Sequence, residues 1–196
     1  MRALVAALVL LVPAGARADQ IIELGGGIAV PMSDDEYTDY VETSPTLFAR
    51  IGGGAPIGGL FSVDFTPLAA KAESLNFNRL RFQGHVTVRK SVAPKVELSG
   101  RFGAGLDLIH ESFDVTILGT RFEGSDTDLG LALEVGGGAW FTVGASGGVQ
   151  IGVEVALPIS IHNTEGNPNN PNDPDDPRFD YTAVDLDVLG GVRLRL

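Results

Sequence analysis

The last thirteen residues of the chain alternate strictly between two kinds of position. One set is apolar throughout: Val184, Leu186, Val188, Gly190, Val192, Leu194 and Leu196. The other set includes charges of both signs: Asp185, Asp187, Leu189, Gly191, Arg193 and Arg195. A two-residue period places the two sets on opposite faces of a β-strand. One face suits hydrocarbon and the other carries bare charges, so the fold must give each face a different environment.

The same alternation recurs along the chain and predicts eight strands. They cover residues 20–31, 46–55, 60–68, 79–89, 96–108, 128–135, 149–161 and 184–196. A tilted strand needs roughly 9–11 residues to cross a bilayer, and these segments are close to that length. Twenty-six glycines and the period of two argue against helices.

The predicted connections alternate between long and short. Residues 32–43, 69–77, 111–126 and 163–180 form long or moderate polar loops, while 56–59, 92–94 and 144–148 form tight turns. Even strand number with short turns at one end and long loops at the other is typical of outer-membrane barrels. We therefore predict an all-β, eight-stranded antiparallel up-and-down transmembrane barrel, with short periplasmic turns, long extracellular loops and both termini at the end of the short turns.

Residues 1–18 are predicted to be a signal peptide, and residues 19–196 the barrel domain. Arg2 precedes a short apolar run, and Ala16-Arg17-Ala18 has the small residues of a cleavage site. Without this segment the chain has 12 basic and 25 acidic residues, a net charge of −13, which excludes a nucleic-acid reader. The chain has no cysteine, which excludes a disulfide framework.

The charges are distributed unevenly. The four long loops hold fifteen of the 25 acids and three bases, whereas the rest of the mature chain is almost balanced. The polar strand faces are predicted to form a lumen charge network of Glu23, Arg50, Asp64, Arg79, Arg81, Arg89, Glu97, Arg101, Asp107, Asp128, Glu134, Glu154, Asp185, Asp187, Arg193 and Arg195. An eight-stranded barrel is just wide enough for side chains to fill it, so we expect a plugged, ion-paired interior.

Histidine and tryptophan are the other candidates for special roles. His85 falls on the lumen face and is expected to be structural, and His162 is expected at the base of a loop. His110-Glu111-Ser112 resembles a hydrolase triplet, but neighbouring strand residues point to opposite faces, so no catalytic residues are predicted. Trp140 falls on the lumen face unless the preceding Gly136–Gly138 run holds a bulge.

No cofactor is expected, and no metal site is predicted. Weak candidates for divalent cations are Asp34, Asp35, Glu36, Asp173, Asp175 and Asp176. Their spacing matches no defined calcium loop, and a solvated acidic surface explains them better. The glycine runs lead into no helix and lack the lysine of a phosphate-binding loop.

The strand count, the loop alternation and glycine-rich segments such as Leu24-Gly25-Gly26-Gly27 resemble the small eight-stranded outer-membrane proteins of Gram-negative bacteria. OmpX and the OmpA transmembrane domain are examples, as are the "outer membrane beta-barrel protein" families. The resemblance covers the mature chain but includes no specific motif, and Leu196 stands where such chains usually end in an aromatic residue.

The resemblance implies a location in the cell outer membrane. The expected partners are outer-membrane lipid and lipopolysaccharide, the outer-membrane assembly machinery and divalent cations at the acidic loops. We expect a non-enzymatic protein with a structural or surface-interaction role. Three alternatives stay open: a narrow pore or small-solute channel, a lipid-modifying enzyme, and a soluble ligand-binding barrel with the two strand faces inverted.

Overall fold

The computed structural model describes residues 20–33, 38, 41–71, 75–117, 120–144, 147–163 and 180–196. The predicted signal peptide lies outside these residues. The strands are β1 (Gln20–Pro31), β2 (Val41–Glu42), β3 (Ser44–Gly53), β4 (Ile57–Ala70), β5 (Leu75–Ala93), β6 (Val96–Ile117), β7 (Thr120–Val143), β8 (Val149–Asn163) and β9 (Asp180–Arg195). Across the described part of the chain, no helix is long and apolar enough to cross a bilayer.

Eight of these strands close into a ring of antiparallel neighbours, in the order β1, β3, β4, β5, β6, β7, β8, β9 and back to β1. The two-residue β2 pairs with the end of β4 outside this ring. The prediction of an eight-stranded up-and-down barrel is confirmed.

The stagger of the strands sets the width of the barrel. The stagger is found by starting at one residue of β1 and stepping from each residue to its partner on the next strand around the ring. This path goes through Ile22, Ile51, Phe61, Gly84, Ala104, Leu133, Ile159, Val184 and Met32. The path returns to the first strand segment ten residues beyond its start. Eight strands with this stagger tilt by about 40° and enclose a cylinder of about 8 Å radius, which side chains can fill.

The two faces of the sheet are inverted relative to a soluble protein. Within the described residues, 24 buried side chains are polar or charged and 12 are hydrophobic. Every strand of the ring exposes apolar side chains outward, for example Leu24, Leu47 and Val153, which are 54%, 59% and 61% exposed. The soluble alternative required Asp185, Asp187, Arg193 and Arg195 to lie outside, but the first three are at most 3% exposed.

The outward apolar face forms a belt of membrane height. On β6 it extends from Leu98 to Leu108. Ten residue rises of about 3.3 Å, tilted by about 40°, give a height of about 25 Å, which matches the apolar band of outer-membrane barrels.

The short connections lie together at one end, here named the turn end. They are residues 54–56, 94–95 and 144–148. Gln20 and Leu196 also lie there, since the Leu196 N–H donates to the Gln20 carbonyl at 2.9 Å. The opposite end is named the hairpin end. As predicted, both ends of the described chain lie at the end of the short turns.

Two of the predicted loops are wrong. Residues 111–126 are not a loop, because β6 and β7 stay paired up to Ile117 and Thr120. The predicted loop 69–77 is shorter than expected, because β4 continues to Ala70 and β5 begins at Leu75. Beyond the belt the apolar residues of β6 fall on the other set of positions: Phe113, Val115 and Ile117 are odd-numbered, whereas Leu98 to Leu108 are even-numbered. The pattern of the belt therefore ends although the ladder continues.

Candidate functional site

The interior of the barrel holds the sixteen ionisable residues of the predicted network. Fourteen of them are buried. The two exceptions lie near the ends of the lumen: the side chains of Asp128 and Arg195 are 17% and 32% exposed. Buried charges are costly unless they are paired, so their contacts decide what this interior does.

Near the turn end, acids and bases alternate. Arg195 contacts Glu97, and the Arg193 Nη1 donates to Glu97 Oε1 at 2.5 Å. The Arg193 Nε donates to Glu23 Oε1 at 2.7 Å, across the seam that closes the ring between β9 and β1. Glu23 in turn lies 3.3 Å from the Arg50 Nη1.

The same series continues across the lumen. The Arg50 Nη1 donates to Glu154 Oε2 at 2.6 Å, and the Arg101 Nη1 donates to the same oxygen at 2.5 Å. The Arg101 Nε donates to Glu134 Oε1 at 2.6 Å. Four arginines and four glutamates therefore form one continuous series, here named the Glu–Arg chain.

Toward the hairpin end, the acids are aspartates and a histidine joins them. His162 is buried, with its Nδ1 2.7 Å from Asp128 Oδ2 and its Nε2 3.1 Å from Asp107 Oδ2. Asp107 also lies 3.3 Å from the Arg79 Nε, and Arg79 contacts Asp185. His162 is the last residue but one of β8, beside the connection that follows Asn163, and its buried ring lies among lumen carboxylates.

A second arginine of β5 is paired in the same region. The Arg81 Nη2 donates to Asp187 Oδ2 at 2.9 Å, which joins β5 to β9 across the barrel. Arg89, at the turn end of the same strand, donates to the Gly54 carbonyl and is buried.

Trp140 lies in the lumen. The β6–β7 register continues without interruption through residues 136–138, so no bulge redirects the side chain. Its ring is fully buried, lies 4.0 Å from the Arg193 guanidinium, and its Nε1–H donates to Ser99 Oγ at 3.1 Å. Gly152 makes room for this ring, because a Cβ there would lie 2.5 Å from ring atoms.

One buried group contains the three residue types of a hydrolase triad. The Ser62 hydroxyl lies 2.9 Å from His85 Nε2 and donates to Asp64 Oδ2 at 2.9 Å. In a triad the histidine stands between the serine and the acid, and the serine gives its proton to the histidine. Here the serine stands in the middle and donates a hydrogen bond to Asp64, so the three side chains are not in the order of a triad.

The His110-Glu111 pair lies at the hairpin end on opposite sides of β6. His110 is exposed, and its Nδ1 lies 2.9 Å from the Thr127 hydroxyl. Glu111 is half-buried and lies beyond Leu108 and Leu129, the last outward leucines of the β6–β7 pair. Burial, followed by the charges of Asp126 and Asp128, raises the pKa of Glu111.

The weak metal candidates, Asp34, Asp35, Glu36, Asp173, Asp175 and Asp176, all lie outside the described residues. Among the residues that are described, no group of three or more His, Asp and Glu side chains is arranged to hold a metal ion.

Comparison with known proteins places this geometry among solved barrels. No protein-family model and no curated protein sequence matches the chain. Neisserial surface protein A (NspA) matches in structure with a TM-score of 0.57 and 14% identity, over 90% of this chain and 97% of that one. The fold is that of a small eight-stranded outer-membrane barrel.

Two further structures align over nearly the whole barrel. Ail, the attachment invasion locus protein of Yersinia pestis, gives a TM-score of 0.47 at 15% identity, over 90% of this chain and 98% of that one. The N-terminal barrel domain of Pseudomonas aeruginosa OprF gives 0.44 at 10% identity, over 92% and 99%. The barrel fold and the apolar belt together place the protein in the outer membrane.

Several lumen contacts were not predicted from the sequence. The contacts of His162 and Ser62 were missed, although both residues fall on the polar face of their strands. The two-residue alternation along each strand identifies such residues as inward-facing. Their partners depend on the stagger between strands, which the alternation does not give.

Proposed function

We propose that the protein is a non-enzymatic outer-membrane barrel whose interior is closed to solutes and whose role is structural or exercised at the cell surface. The Glu–Arg chain carries this proposal. It crosses the lumen between β3 and β8 and between β6 and β9, so a solute on the barrel axis must displace paired, buried charges.

The size of one internal cavity supports the same conclusion. A cavity lined by Arg89, Arg101 and Arg193 measures about 10 Å³, which is room for about one water molecule. The surface role is supported by the acidic character of the hairpin end and by the likeness to NspA, a surface protein. The turn end faces the periplasm in this proposal.

The proposed partners follow from the surfaces of the barrel. The apolar belt contacts lipid, and lipopolysaccharide surrounds the hairpin end. Divalent cations bridge the acidic loops to its phosphates. Insertion depends on the outer-membrane assembly machinery, because a secreted barrel reaches its membrane from the periplasm.

Planar-bilayer conductance tests the closed interior. The purified barrel is expected to give no resolved channel events across the range of voltages in which a known porin conducts. Steady single-channel events that change when Glu154 is replaced by Gln would show that ions pass the Glu–Arg chain, and the pore alternative would replace this proposal.

Lipid analysis tests the absence of enzymatic activity. Cells producing the wild-type protein and the variant His110→Ala are expected to have the same lipid A and phospholipid profiles. A lipid product that depends on the wild-type protein and disappears with His110→Ala would establish the enzyme alternative.

A further inference from the structure

Lys90 lies on the outward side of β5, in the row of residues that faces the membrane. Its neighbours in this row are the exposed, apolar Val88 and Val92, and its partner on β6 is Leu98, at the turn-end edge of the apolar belt. Among the described residues of the ring strands, no other charged side chain has an outward position within the belt or on its turn-end side. Lys90 therefore places a positive charge at the border of the lipid-facing surface.

Lys90 has no acidic partner among the described residues. The same is true of Lys95, which is exposed in the β5–β6 turn. Glu97, the acid closest to both lysines in sequence, is buried in the lumen and contacts Arg193 and Arg195. The charges of both lysines are therefore exposed at the turn end.

The surface beside Lys90 is apolar and accessible. The β4–β5 ladder ends at Ile57 and Val88, which are 67% and 54% exposed, so no β4 residue pairs with Lys90. A lysine lays its methylene groups along such a surface and keeps its ammonium group among polar groups. A phospholipid matches both parts of this surface, because its acyl chains are apolar and its phosphate accepts hydrogen bonds from an ammonium group.

We infer that Lys90 and Lys95 bind the headgroup of an anionic phospholipid in the periplasmic leaflet, with its acyl chains against the neighbouring belt. The two lysines are here named the basic rim. The choice of leaflet rests on the proposed function, in which the turn end faces the periplasm. A lysine near an anionic lipid surface strengthens binding about fivefold, so the two lysines together are expected to contribute about 25-fold.

The distribution of charge favours an anionic lipid at this end of the barrel. The four predicted outer segments hold fifteen acids and three bases, so the hairpin end repels such a headgroup. At the turn end, the described side-chain charges that reach the surface are those of Lys90, Lys95 and Arg195, which are all basic. An acidic protein would reach these charges from the periplasm, but Lys90 stands in a row of membrane-facing residues, which favours a lipid.

Native mass spectrometry of the full mature barrel tests the basic rim. The barrel, in a neutral detergent, is given phosphatidylglycerol and phosphatidylcholine with the same acyl chains, and the ratio of the two bound lipids is measured. We expect the wild type to retain phosphatidylglycerol in preference. Equal retention of both lipids would refute the inference, since a purely apolar contact does not distinguish their headgroups.

Substitutions of single lysines separate a local site from a general effect of charge. Lys90→Gln should lower the preference for phosphatidylglycerol about fivefold, and Lys90→Gln/Lys95→Gln about 25-fold, whereas Lys90→Arg should preserve it because the charge remains. Lys71→Gln is the matched control, since Lys71 is exposed after β4 at the hairpin end, and it should leave the preference unchanged. An equal effect of Lys71→Gln and Lys90→Gln would refute the basic rim. A gel of boiled and unboiled samples confirms that each variant has folded.

Two competitors distinguish the lipid from other anions. Inorganic phosphate and a short polyglutamate peptide, each compared with sodium chloride at equal ionic strength, are expected to leave the bound lipid in place. Displacement by phosphate would assign the basic rim to a soluble phosphate, and displacement by the peptide would assign it to an acidic protein. Either result would refute the inference.

The orientation of the barrel is tested separately with Ser91→Cys. Ser91 is exposed between the two lysines in sequence, and the chain has no native cysteine. A membrane-impermeant maleimide is expected to label this variant only after the outer membrane is permeabilised. Labelling of intact cells would refute the proposed orientation and the assignment to the periplasmic leaflet. Unlabelled intact cells together with equal retention of the two lipids would refute the inference alone.

Discussion

Glu154 is the residue whose removal tests most directly whether the interior of the barrel is dry. Its Oε2 accepts hydrogen bonds from Arg50 and Arg101, at 2.6 and 2.5 Å. All three residues are buried. Replacement of Glu154 by Gln keeps the size of the side chain but removes the charge that compensates two guanidinium groups.

The expected loss in the free energy of unfolding depends on the acidic partners that Arg50 and Arg101 retain. Arg50 keeps Glu23 at 3.3 Å, and Arg101 keeps Glu134 at 2.6 Å. Loss of one partner from a buried ion pair costs about 3–5 kcal/mol, and the retained partners place Glu154→Gln near the lower limit of about 3 kcal/mol. The equilibrium between folded and unfolded barrel then shifts on the order of a hundredfold.

Urea unfolding in detergent micelles measures this cost, with Trp140 as the reporter. It is the one tryptophan of the chain and is fully buried in the folded barrel. The double variant Glu154→Gln/Arg50→Gln should regain part of the loss, because one uncompensated guanidinium is removed while Glu23 keeps its contact with Arg193.

Arg195→Gln is the matched control. The Arg195 side chain is 32% exposed and contacts Glu97 at the mouth of the lumen. Water screens such a pair, so the expected loss is below about 1 kcal/mol. If Glu154→Gln cost no more than Arg195→Gln, the interior would be hydrated along its length, and the reasoning for a closed lumen would be refuted.

Three further predictions concern other parts of the barrel. Gly152→Val should force the Trp140 ring from its site, shift the Trp140 fluorescence to longer wavelength and lower the free energy of unfolding in urea by about 1–3 kcal/mol. An unchanged fluorescence spectrum would show that the ring does not pack against Gly152. Val153→Arg should cost about 2–4 kcal/mol in lipid vesicles and Val153→Leu almost nothing; equal stability of the two would contradict the lipid belt. The pKa of Glu111, measured by carboxyl NMR, should lie above the ordinary glutamate value, so the folded barrel gains stability as the pH falls through that pKa. Asp126→Asn should lower the pKa of Glu111 without restoring the ordinary value, because the burial of Glu111 remains.

The sequence specified the faces of the strands well because the two faces meet different surroundings. Inside the belt, Asp185 and Val188 cannot exchange places without moving a charge into lipid, so alternation is strict. The failure at residues 111–126 has a different cause. Phe113, Val115 and Ile117 are odd-numbered, whereas the apolar residues of the belt on β6 are even-numbered, so the pattern of the belt stops while the ladder continues to Ile117.

The pairing inside the lumen was not predictable for a different reason. Arg193 and Glu97 lie 96 residues apart in sequence, and Arg79 and Asp185 lie 106 apart. Which residues meet depends on the ten-residue stagger of the ring and on side-chain reach across the lumen. Composition and the two-residue alternation establish that the charged side chains share the lumen. They do not establish which acid pairs with which base.

The ion pairs that span the lumen also give the barrel a mechanical property. Arg50–Glu154 joins β3 to β8, Arg193–Glu97 joins β9 to β6, and Arg81–Asp187 joins β5 to β9. These contacts span the lumen in different directions, and Arg81–Asp187 joins two strands that are opposite each other in the ring. Lateral pressure that flattens the ring into an ellipse lengthens one diameter as it shortens another, so some of these contacts must stretch. A barrel held in this way keeps a round cross-section in a crowded bilayer, and the outer hairpin stands on a base that does not deform beneath it.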